Sequence, residues 1–250
     1  MSLFGLIGFP LTHSFSADYF NEKFSEHHSE IQNVSYQMFS LSKIEQIQDL
    51  IINNQELCGL NVTHPYKKLV INYLDDISNN AKEIGAVNTI KIIRTQNKTK
   101  LIGYNTDGYG FEKMLKPLLK PHHQKALVLG SGGVSNAIQH ILKKNNISFT
   151  LVTRKHLDNE SINYHDLNKN IIEEHTIVIN ATPVGMFPNI TDYPNFPYHF
   201  LSQQHLIIDL IYNPLETNFL QFSKKYGATT KNGLEMFHYQ AEKSWEIWCS

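Results

Sequence analysis

A glycine-rich turn near the middle of the chain constrains its fold more than any other feature. Residues 126–129 are apolar and strand-like, and they run into Gly130, a short glycine turn and a helical pattern that begins near Asn136. In this context glycines let backbone N–H groups approach a dinucleotide pyrophosphate at a helix N-terminus. The same string also fits an ordinary strand-to-helix turn. Because the turn begins at residue 130, a domain-sized segment precedes it and needs another role.

Composition excludes several classes of protein. The 250 residues carry 22 Lys and Arg against 23 Asp and Glu, so no electrostatic signal favours nucleic acid or an anionic membrane. No apolar run approaches the ~20 residues that cross a membrane, and the first residues do not resemble a signal peptide. Cys58 and Cys249 lack the spacing of a disulfide framework or a thiolate zinc site. We therefore expect a cytoplasmic enzyme with no metal and no nucleic-acid or membrane partner.

The segment before residue 105 alternates strand-like and helix-like stretches. Apolar runs predict strands at 3–9, 36–39 and 57–62, and a hairpin-like pair at 87–93 and 101–104. Apolar residues at helical spacing predict helices at 16–27 and 42–52, the second with an N-cap at Ser42. These stretches predict a first α/β lobe that ends near Asn105.

Beyond residue 105 the pattern becomes a regular α/β alternation. Strands are predicted at 126–129, 149–152, 177–179 and 206–209, and a helix at 217–226. The final helical pattern, 234–248, has apolar residues at helical spacing and needs a core to lie on. A second α/β lobe with a parallel sheet is therefore predicted.

Two cations, Arg154 and Lys155, follow the strand predicted at 149–152, and no acidic residue occurs before Asp158. In dinucleotide folds, a carboxylate about 20 residues beyond the glycine turn binds the adenine ribose 2′-hydroxyl. Two cations at this strand end instead favour a 2′-phosphate, which Arg can bind bidentately. A solvated basic turn is the alternative, but the spacing from the glycine turn favours NADP as the cofactor.

Polar residues that leave the third strand are the best candidates for chemistry in the first half. Segment 61–67 brings an amide, the Thr63 hydroxyl and the Lys67 ammonium group to a strand end, where they can converge on a polyhydroxylated ligand. Asp107 brings a carboxylate to the crossing between the lobes, and a lysine near a carboxylate in a cleft forms a proton donor and acceptor pair.

Each of these residues also has a purely structural interpretation. Lys67 could be a solvated lysine, and Asp107 could be the N-cap of a helix at 108–116. Ser14 and Ser16 could likewise cap the helix that follows them.

Taken together, these strings resemble the shikimate dehydrogenase family from residue 3 almost to the C-terminus, in the family's order. The matches are Ser-x-Ser at 14–16, Asn-Val-Thr-x-Pro-x-Lys at 61–67, Gly-Ala-Val-Asn-Thr at 85–89, Asn-Thr-Asp-Gly at 105–108, the glycine turn followed by Thr153-Arg154, segments 180–186 and 209–212, and Asn-Gly-Leu-Glu-Met at 232–236 with Gln240. Any one motif could arise by chance, but eight in order are highly specific.

The resemblance implies a role for each matching residue. It places Lys67 and Asp107 at the reacting centre. It assigns the hydroxyls and carboxylate of shikimate to Ser14, Ser16, Thr63, Asn88, Asp107 and Gln240, with Tyr212 near the carboxylate. It assigns NADP to Gly130, Ser131, Gly132, Gly133, Val134, Ser135, Thr153, Arg154 and Lys155, with Ala181, Thr182 and Met236 near the nicotinamide. Asn88, Tyr212 and Met236 also fit purely structural roles, and Thr182 fits a turn.

The implied fold is α/β with two lobes. An N-terminal α/β substrate-binding domain of residues 1–105 is completed by the C-terminal helix at 233–250, and residues 106–232 form a Rossmann-type, doubly wound parallel-sheet NADP domain. The resemblance also implies a further helix after the position of Ser250 in many members of the family, and its absence could leave apolar surface of the first lobe exposed. A partner subunit, as in a homodimer, is one way to cover the apolar surface that such a helix would bury.

The implied activity is the NADPH-dependent, reversible reduction of 3-dehydroshikimate to shikimate, in the shikimate pathway of aromatic amino-acid biosynthesis. Two alternatives remain: a quinate/shikimate dehydrogenase with relaxed cofactor use, and a non-catalytic NADP-sensing module. His156, rather than an acid after the two cations, argues against NAD preference. Retention of both Lys67 and Asp107 in their motifs argues against the sensing module.

Overall fold

The computed structural model describes residues 2–12, 14–26, 33–96, 98–154 and 161–250. The chain divides into two compact units, which we call the first and the second unit. The first unit is Met1–Thr106 with Ala241–Ser250, and the second unit is Asp107–Gln240. The domain limits predicted from the sequence, 1–105 with 233–250 and 106–232, stay a prediction.

The first unit is an α/β fold that is built on one mixed sheet. Its elements are β1 (Ser2–Gly8), α1 (Phe15–Glu26), β2 (Val34–Ser40), α2 (Ile47–Asn53), β3 (Leu57–Val62), β4 (Asp76–Ile77), α3 (Asn79–Ile84), β5 (Thr89–Arg94) and β6 (Thr99–Tyr104). The strand order is β2-β1-β3-β5-β6-β4. The predicted strands and the hairpin-like pair are confirmed, with β5 antiparallel to both of its neighbours. The short elements β4 and α3 carry no clear pattern in the sequence and were not predicted.

The predicted cap at Ser42 is wrong. The helical segment begins with a 3₁₀ turn, Ile44–Gln46, whose N-cap residue is Lys43. The Lys43 backbone N–H donates to Gln46 Oε1 at 3.1 Å, and the Ser42 hydroxyl donates to the same oxygen at 3.3 Å. The glutamine side chain therefore satisfies the backbone N–H of the N-cap residue, while no side chain caps the first turn in the way expected of Ser42.

An aromatic cluster anchors the C-terminal residues in the first unit. Helix α8 (Leu234–Cys249) begins in the second unit and ends in the first. The Trp248 ring stacks on Phe4 with ring centroids 4.8 Å apart, and its indole N–H donates to the Ile90 carbonyl at 3.0 Å. Phe20, which is fully buried, stacks on Tyr36 at the same centroid distance of 4.8 Å. The final helix thus has the core that its apolar spacing requires.

The second unit is built on six parallel strands. Its elements before α8 are α4 (Asp107–Leu115), β7 (Lys125–Leu129), α5 (Gly133–Lys144), β8 (Ser148–Thr153), β9 (Ser161–Asn163), α6 (Lys169–Glu174), β10 (Ile177–Asn180), β11 (Leu206–Asp209), α7 (Asn218–Lys225) and β12 (Thr229–Lys231). The order β9-β8-β7-β10-β11-β12 is the 3-2-1-4-5-6 order of a Rossmann fold. The predicted parallel sheet is confirmed.

Both faces of this sheet are buried, as the continuous apolar run in β7 requires. Ala126 and Val128 pack on one face with Phe111 of α4 and Ile138 of α5. Leu127 and Leu129 point to the opposite face and pack among residues of α6 and α7. Helices therefore cover both sides, which makes the sheet doubly wound. No helix in the described ranges has the length and apolar character that a membrane crossing requires.

Candidate active site

The turn after β3 is held against the end of β1. The Thr63 N–H donates to the Ile7 carbonyl at 2.9 Å, and the Phe9 N–H donates to the His64 carbonyl at 3.0 Å. A Cβ atom at Gly8 would lie 2.5 Å from the Thr63 side chain, so only glycine lets the two segments approach this closely. The Thr63 side chain is thereby fixed at the carboxyl edge of the first unit's sheet.

Lys67 is positioned by its own backbone. Its carbonyl accepts from the Val87 N–H at 2.7 Å, just before β5. The preceding residue, Tyr66, is buried in the core of the first unit with Ile7 and Val70. The Lys67 side chain is half-buried. The backbone at Lys67 is therefore held by the hydrogen bond from Val87 and by the buried Tyr66. The lysine side chain begins at the same edge of the sheet as Thr63.

Asn88 lies in a buried network of neutral side chains, which we call the Asn88 network. Its members are Tyr36, Asn61, Asn88, Thr89, Thr106 and Ser244. Asn88 Oδ1 accepts from the Thr106 N–H at 2.7 Å, and Asn88 Nδ2 donates to the Thr106 hydroxyl at 2.9 Å. Because β5 is antiparallel to β3, Asn88 lies at the sheet edge that carries Thr63 and Lys67. Sequence reasoning missed the contribution of Ser244, which lies far away in the chain.

The two serines of the Ser-x-Ser motif differ in role. The Ser14 hydroxyl accepts from the Ser16 N–H at 3.2 Å, and the Ser14 carbonyl accepts from the N–H groups of Ala17 and Asp18. Ser14 therefore caps α1, as the structural interpretation predicted. Within the described part of the chain, the hydroxyls of Ser16 and Thr63 make no hydrogen bond. These two hydroxyls can turn toward a ligand.

The glycine turn of the second unit lies at the switch point of its sheet, where β7 and β10 are neighbours. Gly130 has a φ of 97°, and a Cβ atom there would lie 2.7 Å from the Thr182 side chain. The Ala181 N–H donates to the Leu129 carbonyl at 2.9 Å. The structure thus brings Gly130, Ala181 and Thr182 together, as the assigned cofactor roles require.

Two hydrogen bonds accommodate Ser135 at a position of this turn where Gly or Ala is usual. Its side chain is fully buried and donates to the Gly130 carbonyl at 2.8 Å, while Gln139 Nε2 donates to it at 3.1 Å. Helix α5 begins at Gly133, and a Cβ atom at Gly132 would meet nothing within 4 Å. The open space in front of this helix N-terminus fits a pyrophosphate. Ser131 is exposed beside it, and Val134 packs against the core.

The end of β8 carries the residues assigned to the adenosine part of the cofactor. Thr153 is buried there, and Arg154 is exposed. The Arg154 carbonyl accepts from Asn163 Nδ2 at 2.9 Å, which ties this end to β9. Lys155 lies outside the described residues. An exposed guanidinium at this strand end fits the 2′-phosphate of NADP.

A buried carboxyl group organises the ends of β10 and β11, and sequence reasoning did not predict it. Asp209 accepts hydrogen bonds from Asn180 Nδ2 at 3.0 Å, the Ile211 N–H at 3.1 Å and the Thr217 hydroxyl at 2.6 Å. The Thr182 hydroxyl donates to Asn180 Oδ1 at 2.6 Å. Burial raises the pKa of the Asp209 carboxyl to about 6, although the three hydrogen bonds act in the opposite direction. We call these side chains, with Thr182, the Asp209 network.

Asp107, Tyr212, Met236 and Gln240 belong to the second unit. Asp107 is the first residue of α4, so it lies inside the helix that it was expected to cap. Burial, with a smaller contribution from the negative charge of Asp107, raises the pKa of Tyr212 to about 12. Met236 is buried in the core with Phe111. Gln240 lies one helical turn beyond Met236 and is half-buried.

The structure therefore provides two sets of site residues, one in each unit. Ser14, Ser16, Thr63, Lys67 and Asn88 lie in the first unit, and the remaining predicted residues that the structure describes lie in the second. Over the described ranges, no group of three or more His, Cys, Asp and Glu side chains could hold a metal ion.

Comparisons with known proteins agree with the motifs. The family model for the shikimate dehydrogenase substrate binding domain matches residues 6–90. A shikimate dehydrogenase (NADP(+)) from Methanococcus maripaludis is 40% identical over 264 residues, which cover 98% of this chain and 91% of that protein.

Solved structures share the fold along nearly the whole chain. A shikimate 5-dehydrogenase from Thermus thermophilus, in complex with NADP(H) and shikimate, is 28% identical with a TM-score of 0.83, covering 99% of this chain and 93% of that one. A quinate dehydrogenase from Corynebacterium glutamicum, in complex with NAD, is 25% identical with the same TM-score of 0.83 and the same coverage of 99% and 93%. The extent and identity of these matches, above all the 40% shared with the methanococcal enzyme, show that the chain belongs to the shikimate dehydrogenase (NADP(+)) family of oxidoreductases.

Proposed function

We propose that this enzyme catalyses the reversible, NADPH-dependent reduction of 3-dehydroshikimate to shikimate, a step of aromatic amino-acid biosynthesis. The observation that carries the proposal is the carboxyl edge of the first unit's sheet, where Thr63, Lys67 and Asn88 lie on a fixed backbone. A hydroxyl, an ammonium and an amide suit a ring that bears several hydroxyl groups. The Thermus thermophilus structure in complex with NADP(H) and shikimate supports this substrate.

Substrate binding is assigned to hydroxyl and amide groups together with the Asp107 carboxylate. The hydroxyls of Ser16 and Thr63 have no other hydrogen bond in the described ranges, so a ligand can use them at no cost to the fold. We assign the ring hydroxyls and the carboxylate to Ser14, Ser16, Thr63, Asn88, Asp107 and Gln240. Burial keeps the Tyr212 phenol protonated, so it can donate to the substrate carboxylate.

Proton transfer is assigned to Lys67 and Asp107. The Lys67 ammonium donates a proton to the oxygen that becomes a hydroxyl, and its charge stabilises the developing alkoxide. The Asp107 carboxylate is assigned to accept a hydrogen bond from the substrate. A cationic lysine makes a metal unnecessary for this step.

The residues that we assign to the cofactor lie in the second unit. When bound, NADPH supplies the hydride. Gly130 to Ser135 would hold the pyrophosphate, and Thr153, Arg154 and Lys155 would hold the adenosine 2′-phosphate. Ala181, Thr182 and Met236 would border the nicotinamide. The open space at Gly132 and the exposed Arg154 fit this ligand.

The test is an assay of the purified chain with NADPH and 3-dehydroshikimate, followed by absorbance of the nicotinamide. Turnover with this pair, and at least tenfold weaker kcat/KM with NADH, is expected from a site that reads the 2′-phosphate. Faster oxidation of quinate with NAD would instead support the quinate alternative, which the 25% identical Corynebacterium glutamicum enzyme keeps open. Binding of NADPH without any turnover would support the sensing module.

Homodimerisation and a cytoplasmic location are also proposals. Cys58 and Cys249 are both free thiols, which fits a reducing compartment. Light scattering of the purified chain gives its oligomeric state, and fractionation of cells that express it gives its location.

A further inference from the structure

We propose that Ser244, on α8, is a positioning residue that fixes the Asn88 amide in the orientation that the substrate requires. This assignment rests on the proposed function, because Asn88 is a proposed substrate residue. Ser244 is fully buried, and its hydroxyl lies 2.8 Å from Thr89 Oγ1 and 3.1 Å from Thr106 Oγ1. Nothing in the sequence motifs connects Ser244 with Asn88.

The backbone of Thr106 determines which way the Asn88 amide faces. A backbone N–H is only a donor, so the atom that lies 2.7 Å from Thr106 N must be the Asn88 oxygen. The amide nitrogen then donates to the Thr106 hydroxyl at 2.9 Å. A flipped amide would set two donors against each other in a buried site.

The hydroxyl groups complete a closed ring of hydrogen bonds. The Thr106 hydroxyl accepts from Asn88 Nδ2 at 2.9 Å, and both Asn88 Oδ1 and the Ser244 oxygen lie 3.1 Å from it as possible acceptors of its proton; the ring closes when Ser244 accepts. Ser244 can then donate to Thr89 at 2.8 Å, and Thr89 donates to Asn88 Oδ1 at 3.1 Å. In this arrangement each hydroxyl donates once and accepts at least once.

A second contact holds Ser244 in this ring. Asn61 Nδ2 donates to the Ser244 hydroxyl at 3.1 Å, and Asn61 Oδ1 accepts from the Tyr36 hydroxyl at 2.8 Å. Asn61 Nδ2 also donates to the Asn88 carbonyl at 3.3 Å, and because a carbonyl only accepts, this contact orients the Asn61 amide and gives Ser244 a donor in a defined position. Removal of the Ser244 hydroxyl takes away the group that links the Thr106 and Thr89 hydroxyls. The bond from the Thr106 N–H to Asn88 Oδ1 remains, but the two hydroxyls that contact the amide are held less firmly.

The test is a double-mutant cycle between Ser244→Ala and Asn88→Ala, with KM for shikimate and for NADP⁺ as separate readouts. Ser244→Ala should raise the shikimate KM by about five- to tenfold, because a misaligned amide weakens binding, with kcat and the NADP⁺ KM within about twofold. In the Asn88→Ala background the same substitution should change the shikimate KM by less than about twofold, because its effect passes through Asn88.

Ser223→Ala is the matched control. Ser223 is also a fully buried helix serine, but its hydroxyl donates to the Phe219 carbonyl in the second unit. It should lower the melting temperature to a similar extent and leave the shikimate KM unchanged. If Ser244→Ala does not fold, Thr89→Val, which breaks the ring at the next hydroxyl with little change of shape, takes its place in the cycle.

Three outcomes separate the assignment from the proposed function. Equal increases of the shikimate KM in both backgrounds overturn the positioning role, as does an unchanged KM in the wild-type background. Absence of shikimate turnover in the unmodified enzyme overturns the proposed function and this assignment together.

Discussion

Each unit of this enzyme buries a network of polar side chains beside its sheet, but the two units do so with different chemistry. The Asn88 network of the first unit contains only amides and hydroxyls. The Asp209 network of the second unit has a carboxyl group at its centre. A neutral network keeps the same hydrogen bonds at every physiological pH. A buried carboxyl group titrates, so its network depends on pH.

The difference fits what each unit is proposed to bind. Shikimate offers several hydroxyl groups, which pair well with amides and hydroxyls of defined orientation. NADP is an anion, and its groups are assigned to backbone N–H groups and a cation, with the carboxyl of Asp209 buried beneath the strand ends. We therefore expect the Asn88 network to contribute specificity through orientation, and the proposed cofactor residues of the second unit to contribute it through charge.

Lys67 is the charged exception in the first unit, and its removal should have the largest effect. Lys67→Ala should lower kcat by on the order of 10³-fold or more, because proton donation and stabilisation of the alkoxide are both lost. The shikimate KM should change much less. Steady-state kinetics of Lys67→Ala and of Lys68→Ala, an exposed neighbour, measure this. A variant that retains a tenth or more of wild-type kcat would remove Lys67 from the mechanism.

The pKa of Asp209 predicts that the stability of the second unit's network depends on pH. The folded-state pKa of about 6 lies above the ordinary value of 3.8, so the unfolded chain releases this proton first as the pH rises. The contribution of Asp209 to stability is therefore complete below pH 3.8 and is lost as the pH rises through about 6. The loss amounts to about 3 kcal/mol.

Asp209→Asn removes this titration. Its melting temperature, compared with that of the wild type, should rise between about pH 4 and about pH 7 by several degrees. Asp192→Asn, which removes an exposed carboxylate of the same unit, is the control. A constant difference between the Asp209 variant and the wild type across this range would show that Asp209 is ionised throughout.

Substitution of Arg154 measures how much its charge contributes to cofactor binding. Arg154→Ala should weaken NADPH binding by about ten- to a hundredfold and NADH binding much less, because only NADPH carries the 2′-phosphate. Kd values from fluorescence titration measure both, and Lys144→Ala removes an exposed cation elsewhere in the same unit. Equal losses for the two cofactors would assign the phosphate to another cation.

The smallest effect is expected within the neutral network. Tyr36→Phe removes the hydroxyl that donates to Asn61 and should cost roughly 1–3 kcal/mol of stability. Burial holds the pKa of Tyr36 well above its usual value, so this cost should be the same at acidic and neutral pH. Thermal unfolding at both pH values, with Tyr226→Phe as an exposed control, provides the comparison. A cost that changes with pH would contradict a neutral network.

The sequence predicted the parts of this molecule that depend on local patterns. The glycine turn and the apolar runs predicted β7 and its neighbours. A buried parallel strand is recognisable because its consecutive residues are apolar. The two short strands β9 and β12 bury too few residues to give such a pattern. Asp107 was expected outside α4 but is its first residue, a difference of one position that capping rules do not resolve.

Long-range contacts were not predictable in the same way. Ser244 meets Asn61 across more than half of the chain, and a single serine in an amphipathic helix gives no signal of such a partner. Asp209 likewise resembles any acidic residue at a strand end until its three donors are known. Motifs indicated the residues that we propose to face the ligands, whereas the buried side chains that contact those residues required the structure.

The assignment of shikimate to Asn88 and of NADP⁺ to Arg154 is the central claim, and calorimetric titration of variants at these two residues tests it most directly. Asn88→Ala should weaken shikimate binding at least about tenfold and leave the NADP⁺ Kd within about twofold, whereas Arg154→Ala should do the reverse. Circular dichroism confirms that both variants are folded. If folded Asn88→Ala weakens NADP⁺ binding as much as shikimate binding, or folded Arg154→Ala weakens both equally, these two residues do not separate the ligands as proposed.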